Sequence, residues 1–378
     1  MTTVIYISTN LSHIEVPVAL ELQAIVGSAN FTFVSWSGLS ADRVKLGWSD
    51  QKFRDMFPNV LFYDQSSLAV RESISNADLV VSNQRDPLLM NYALNQGKVV
   101  FYNSEDWFKP WVSYLRLLYP PKIPVFLKFR ACFLHPKFHY FGISKRACET
   151  VSRIYTLKNP IRIWGYFTKP IDVDVDTRKA EADILWVGRM LKWKNTIDLL
   201  QALSIAKSKG VILTARIIGT GPLRHYLGKE TKALGLSDQV EFLDPLTPDG
   251  ILEQMANIKC LVLTSGAGEG WGAVTNEAMG CNCLVVANNR AGSSSTLIKH
   301  GQNGFLYEDR DVKQLSDILC KLKNGDLRSE EVISRAKSLI SETWSAKNAA
   351  RNMMEVYGEL KNESIRDVEV YSPGSDVF

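Results

Sequence analysis

The sequence contains no stretch of about 18 uncharged apolar residues, the least that a membrane-crossing helix needs, and its first residues, MTTVIYIST, lack a basic flank and a long apolar segment. Neither a signal peptide nor a spanning helix is expected, and the chain reads as cytoplasmic. The six cysteines, Cys132, Cys148, Cys260, Cys281, Cys283 and Cys320, are scattered among apolar residues with no C-x-x-C pair. That argues against a thiolate metal site or dithiol redox chemistry and leaves reduced core thiols. Neither sign of charge is in excess: 44 basic against 40 acidic residues leave +4, too even a balance to indicate a nucleic-acid binder. Repeats at solenoid period and low-complexity tracts are missing as well. Apolar residues are plentiful, 46% against 22% charged, in a chain of 378 residues. That is the balance of a soluble globular protein, long enough for two cores.

Short β-branched runs recur in the first half: VIYIS (4–8), FTFVSW (31–36), VLFY (60–63), LVVSN (79–83), KVVFYN (98–103) and YFGIS (140–144). Helical periodicity lies between several of them. Strands apolar on both faces that alternate with helices make a parallel sheet covered on both sides. The pattern restarts after the polar interval KPIDVDVDTRKAEA (169–182), with ADILWVG (182–188), LTARIIG (213–219), VEFL (240–243), CLVLTS (260–265), CLVVA (283–287) and GFLY (304–307). From about residue 311 amphipathic helical stretches replace the strands. The expected fold class is α/β, with two Rossmann-like doubly wound domains over residues 1–168 and 169–342. Residues 343–378 are expected to form a C-terminal helix packing back toward the first domain, followed by a loosely ordered tail. Sheets of this kind bind ligands at the carboxyl ends of their strands, so a cleft shared by those ends is the expected active site.

One unit in the second half combines such an end with charge. CLVLTS stops at Ser265, the turn G-A-G-E-G-W-G follows, and AVTNEAMG reads as a helix closed by Gly280. Glu269 then lies in the turn and Glu277 about two turns into the helix. The backbone N–H groups of Gly270, Trp271 and Gly272 fall at the helix start, where unpaired donors and the helix dipole favour an anion such as phosphate. Glycine there lets a ligand approach the backbone closely. A carboxylate at each end of the loop can accept hydrogen bonds from two hydroxyl-bearing parts of one ligand, a sugar and a ribose. The plainer alternative is a glycine-rich turn with Glu277 on a solvated helix face.

Here the sequence resembles the family 4 glycosyltransferases, retaining enzymes of the two-Rossmann-domain GT-B architecture, whose hallmark is two glutamates separated by seven residues. Glu269, Gly270, Gly272, Glu277, Ala278 and Met279 sit at the matching positions. WVGRMLKWKN (186–195) is similar to the family's V-G-R-x-x-x-x-K stretch, IIGTGPL (217–223) to its I-V-G-x-G-P turn, and HGQNGFLY (300–307) to its G-x-x-G-x-L strand. The motifs follow the family's order over residues 180–360. The resemblance implies an acceptor-side first domain and a donor-binding second one, with Glu277 on the ribose, Glu269 on the donor sugar, and Arg189 and Lys194 on the diphosphate. Gly188 and Gly219 fall in the two accompanying turns. Preformed cations stabilise the charge gained by a departing nucleoside diphosphate without a metal, so no cofactor is implied beyond a UDP- or GDP-sugar co-substrate. Lys192 reads as an ordinary surface charge.

The sequence also departs from that pattern. Asn282 and Leu284 stand where the family has Gly and Pro, and Ser295 where an acidic residue is usual. Asn tolerates the left-handed backbone that Gly would supply. A histidine common after the KVVFYN-like strand is replaced by NSEDW (103–107); Asp106 or Glu105 either takes its place near the sugar or caps the next segment. His13, in STNLSHIE (8–15), either faces the cleft or is structural.

Residues 107–148 hold no acidic residue but carry Lys109, Arg116, Lys122, Lys128, Arg130, Lys137, Lys145 and Arg146 among aromatic and aliphatic side chains. Prolines at 110, 120, 121 and 124 rule out one long helix. The composition suits contact with an anionic membrane surface; the other readings are an acceptor-side insertion packed on its own domain and, last, a nucleic-acid groove. The expectation is a metal-independent retaining glycosyltransferase, cytoplasmic or peripheral on the inner face of the cell membrane. It would build a glycan or lipid-linked precursor, as in polysaccharide or lipopolysaccharide biosynthesis. A non-catalytic nucleotide-sugar or glycan-binding protein, or an epimerase or phosphorylase of similar shape, is the alternative.

Overall fold

A computed structural model of the chain describes residues 1–40, 44, 49–63, 67–107, 123–168, 182–327 and 329–361. The polar interval over 169–181, the tail from 362, and Lys109, Arg116 and Lys122 of the basic aromatic stretch lie outside the described residues. The chain divides into two compact units, one formed by Met1–Phe167 with the segment from Thr343 onward, the other by Thr168–Glu342.

In the first unit seven strands form one parallel sheet: β1 (Val4–Ser8), β2 (Phe31–Ser35), β3 (Val60–Phe62), β4 (Leu79–Ser82), β5 (Val99–Glu105), β6 (Phe138–Ile143) and β7 (Arg162–Trp164). Their order across the sheet is β3-β2-β1-β4-β5-β6-β7. β1 lies between β2 and β4, Val4 opposite both Phe31 and Leu79. Every residue of β1, β4 and β6 is buried, as strands covered by helices on both faces must be. The short β7 was not anticipated: its three residues include Arg162, which the fold buries.

The flanking helices begin where local chemistry lets them. Asp86 caps the helix Pro87–Asn95, its Oδ1 accepting from the N–H groups of Leu88 and Leu89 at 2.9 and 3.2 Å, which satisfies donors the helix cannot pair itself. The helix Ile123–Phe133 holds Pro124 in its first turn, a position that needs no N–H. Lys128, Arg130 and Lys137 of the basic stretch are exposed there, while Lys145 and Arg146 are half-buried. The C-terminal helix Ala346–Lys361 packs against the helix Val16–Val26. Trp344 secures its entry: the indole Nε1–H donates to the carbonyl of Tyr166 at 3.0 Å, and the ring stacks on Phe167 at 5.5 Å.

The second unit is a six-stranded parallel sheet in the order β10-β9-β8-β11-β12-β13. Its strands are β8 (Ala182–Val187), β9 (Ala215–Ile218), β10 (Val240–Leu243), β11 (Ile258–Leu263), β12 (Leu284–Asn288) and β13 (Phe305–Tyr307). Leu199, Leu200 and Leu203 of the helix Thr196–Ser208 and Leu315 and Leu319 of the helix Val312–Lys323 pack on it in one core with Trp186, Ile217 and Val262. In both sheets the chain winds one way and then the other. The reversal falls between β1 and β4 in the first and between β8 and β11 in the second, and connections diverge there to leave a crevice at the strand ends. Among the described residues no helix is long and apolar enough to cross a membrane.

Candidate functional site

In the second unit the loops after β8, β9 and β11 meet at that reversal. The first two touch backbone to backbone: Gly188 N–H donates to Ile218 O at 3.1 Å and Met190 N–H to Thr220 O at 2.8 Å. Gly219 has φ 137°, and a Cβ on it would fall 2.0 Å from the carbonyl oxygen of Gly188, so no other residue fits without moving a loop. Arg189, just past Gly188, is exposed, and among the described residues no hydrogen bond or ion pair occupies its guanidinium. Lys192 is exposed too.

Lys194 ends a single 3-10 turn over Lys192–Lys194, and its ammonium pairs with Glu269 Oε2, the two side chains being 15% and 12% exposed. It also lies 4.6 Å from the centre of the Trp193 ring, a further attraction for a cation. Thr264, at the end of β11, fastens the two loops together. Trp186 Nε1 donates to its hydroxyl at 2.8 Å, and the hydroxyl donates to the carbonyl of Lys194 at 2.6 Å. Removing one charge of a mostly buried pair leaves the other uncompensated, so the pair is held in place rather than incidental.

The glutamate loop differs in detail from its expected form. The helix starts at Val274 with Ala273 as its N-cap, because a turn closed by Glu269 N–H on Gly266 O (3.0 Å) and a left-handed Gly272 (φ 94°) keep the preceding residues out of helical geometry. The N–H groups of Gly270, Trp271 and Gly272 thus lie before the helix rather than in its first turn. Glu277 falls in the first turn, not two turns in, and is half-buried. The Trp271 side chain is fully buried, its Nε1 donating to Asn276 Oδ1 at 2.8 Å, which leaves the backbone as its only means of touching a ligand. Gly270 is crowded from the far side: a Cβ on Gly292 would fall 1.9 Å from its carbonyl oxygen. Asn282 takes the left-handed backbone at φ 56°.

In the first unit the loops after β1, β2, β4 and β5 border an open cavity of ≈ 460 Å³. Glu15, Asn83, Arg85, Asn103, Glu105 and Tyr166 are among its lining. Asp106 is not: it is 5% exposed and accepts from Arg146 Nε at 3.0 Å. Successive residues at a strand end point to opposite faces, so the cavity receives Glu105 and the ion pair receives Asp106. Among the described residues His13 is half-buried and does not line the cavity either. Glu15, in the turn that leads into the helix Val16–Val26, escaped the sequence reading although it lies in the same stretch as His13. Its Oε2 accepts from Tyr6 Oη at 2.9 Å and its Oε1 from Asn83 Nδ2 at 3.0 Å. Burial raises its pKa above the ordinary value near 4.5, those two hydrogen bonds oppose the rise, and repulsion from Glu105 adds to it.

Residues 169–339 match the profile of the Glycosyl transferases group 1 family. The second unit is a group 1 glycosyltransferase domain. The D-inositol 3-phosphate glycosyltransferase of Corynebacterium diphtheriae is 27% identical over 202 residues, 50% of this chain and 46% of that protein. The poly(ribitol-phosphate) alpha-N-acetylglucosaminyltransferase of Staphylococcus aureus is 25% identical over 209 residues, 55% of this chain and 40% of that protein. The match therefore spans less than half the length of these curated relatives. Among solved structures, Anabaena HepE in complex with UDP superposes with a TM-score of 0.71 at 17% identity, over 95% of this chain and 100% of HepE. The same protein with UDP-glucose gives 0.67 at 15% identity over the same shares. The likeness shows the fold, two Rossmann-like units of the GT-B class.

The raised pKa of Glu15 has a consequence for stability. The folded protein holds a proton that the unfolded chain releases, so stability is fully present below the unfolded value near 4.5 and is lost as pH rises through the higher folded value. Glu15→Gln cannot titrate. Its melting temperature should fall less than that of the parent as pH rises from about 4.5, opening a gap in the variant's favour; parallel curves would contradict this origin of the shift.

Proposed function

We propose that the chain is a retaining glycosyltransferase that moves a sugar from a UDP- or GDP-sugar to an acceptor hydroxyl. The observation that carries the proposal is the Lys194–Glu269 pair beside the exposed Arg189, at the strand-order reversal of the group 1 glycosyltransferase domain. Arg189 and Lys194 are cations already in place for the two phosphates of a nucleoside diphosphate, and they meet its growing charge as the glycosidic bond breaks. That is the ground for reading the reaction as metal-independent. Glu269 accepts hydrogen bonds from hydroxyls of the transferred sugar, and Glu277, on the next turn of chain, from those of the ribose. A nucleotide donor is supported by HepE, a protein of the same fold solved with UDP and with UDP-glucose. Retention follows from the family 4 resemblance: the acceptor oxygen bonds to the anomeric carbon on the face the diphosphate leaves, the glycosidic bond to that diphosphate breaks, and a phosphate oxygen takes the hydroxyl proton.

The acceptor is read as a glycan or lipid-linked precursor assembled at the cytoplasmic face of a membrane. In support, the helix Ile123–Phe133 exposes Ile123, Val125 and Leu127 at 41%, 46% and 52% next to the exposed Lys128 and Arg130. Apolar side chains beside cations are what an anionic lipid surface retains.

Glu269→Ala should lower sugar transfer on the order of a hundredfold or more while circular dichroism shows a folded chain; turnover like that of the parent would end the assignment. Flotation with phosphatidylglycerol liposomes should carry the protein upward at low salt and release it at high salt. Absence of salt-sensitive flotation would reject the membrane contact.

A further inference from the structure

Behind the loops that carry Lys194 and Glu269, a third loop of the second unit reaches both of them. It follows β13 and turns at Glu308–Asp311, closed by Asp311 N–H on Glu308 O at 2.9 Å. Arg310, third in that turn, has φ 68°, a left-handed backbone that a turn ordinarily gives to Gly or Asn. A bulky residue held there is strained, and such strain persists only where the surroundings fix it. What the position gains is the side chain, whose Nη1 donates to Asp198 Oδ1 at 2.8 Å. Asp198 lies in the first turn of the helix Thr196–Ser208, which begins just past Lys194, and is 3% exposed. Its Oδ2 has no hydrogen-bond partner among the described residues. Burial raises its pKa, Arg310 opposes the rise, and repulsion from Asp309 adds to it. Arg310 is thus the cation that offsets a buried carboxylate beside the lysine loop.

Asp309, one residue earlier, braces the other loop. Its carboxylate stands so close to Gly266 that a Cβ there would fall 2.7 Å from Oδ1. Gly266 begins the turn whose carbonyl holds the Glu269 N–H at 3.0 Å. The carboxylate is itself fixed, Oδ1 accepting from Nδ2 of the fully buried Asn288 at 2.7 Å. The two loops also meet each other, since a Cβ on Gly268 would fall 3.3 Å from the ring of Trp193, the residue before Lys194. The reach of the third loop comes from helix packing: Arg310 precedes the helix Val312–Lys323, which packs along the helix Thr196–Ser208. Adjacent residues of one turn therefore hold different partners, Arg310 on the lysine side and Asp309 on the glutamate side.

We infer that Asp309 and Arg310 are positioning residues of the proposed donor site, setting where Lys194 and Glu269 stand without touching the donor themselves. The inference rests on the transferase reading above and extends the site to a turn that no substrate group is expected to reach. Either brace, once lost, frees one charge to move relative to the other, and a displacement of about 1 Å is enough to weaken a fitted polar site.

Indole N–H resonances of the full chain carrying isotope-labelled tryptophan test this without any nucleotide. Trp186, whose Nε1–H feeds the Thr264 tie to Lys194, and Trp193 report on the two loops, and Trp344 of the first unit is the reference. Arg310→Gly, which also removes the left-handed strain, should shift Trp186 and weaken UDP about fivefold by calorimetry while circular dichroism shows a folded chain. Arg310→Lys, which keeps a cation, should recover most of that affinity. Asp309→Ala should shift Trp193 and leave UDP affinity within about twofold of the parent, because UDP carries no sugar for Glu269 to hold. Asp309→Asn, which still accepts from Asn288, should leave Trp193 in place. Unmoved Trp186 and Trp193 in Arg310→Gly and Asp309→Ala, or undiminished UDP affinity in Arg310→Gly, would overturn the inference. Movement of Trp344 alongside them would overturn it too, since that marks general loosening. A parent chain that binds neither UDP nor GDP removes the transferase reading, and the indole shifts then still decide whether the turn positions the two loops.

Discussion

Lys194 and Glu269 stand 75 positions apart in the sequence, and the proposed chemistry of the second unit depends on their being brought together. Two carriers do so. β8 and β11 lie side by side, so the loops that leave them share one edge of the sheet. Thr264 then ties those loops through a hydrogen-bond chain from Trp186 to the Lys194 carbonyl. The cation and the carboxylate neutralise each other, and the proposed mechanism has both exchange partners with an arriving diphosphate sugar. A pair of this kind contributes little net stability; its value lies in presenting two opposite charges at fixed positions.

The same arrangement of strands produces a different kind of site in the first unit. There too the order of strands reverses between neighbours, and the loops after β1 and β4 diverge. Apart from Arg85, the polar side chains delivered are amides, hydroxyls, carboxylates and the Tyr166 phenol, with Asn83 holding Glu15 as Thr264 holds the Lys194 loop. One topology thus carries Arg189 and Lys194 at the strand ends of one unit and mainly uncharged polar and acidic side chains at those of the other.

Much of the fold was legible because its strands are buried on both faces and therefore spell continuous β-branched runs; VIYIS matches β1 residue for residue. β7 was hidden by its brevity and by Arg162, a residue type that rarely enters a core. The glycine turns were legible for a reason the structure supplies, the contact of Gly219 with the backbone of Gly188. What escaped depended on distance or parity. No local pattern pairs Lys194 with Glu269. Trp271 looks accessible between glycines, yet the loop turns its indole into the core. Whether Glu105 or Asp106 reaches the cavity depends on the register of β5, which the sequence leaves open by one residue. Glu15 was overlooked because a carboxylate near the start of a helix reads as an ordinary surface charge until Tyr6 and Asn83 are seen to grip it.

The central claim is that Lys194 is the diphosphate cation and that Glu269 is its partner in the absence of a donor sugar. Calorimetric affinity for uridine diphosphate, which carries no sugar, separates the two roles. Lys194→Met should bind it about tenfold or more weakly than the parent, while Glu269→Gln, which releases the lysine, should bind it at least as tightly. Undiminished affinity in Lys194→Met, or loss of binding in Glu269→Gln, would contradict the account.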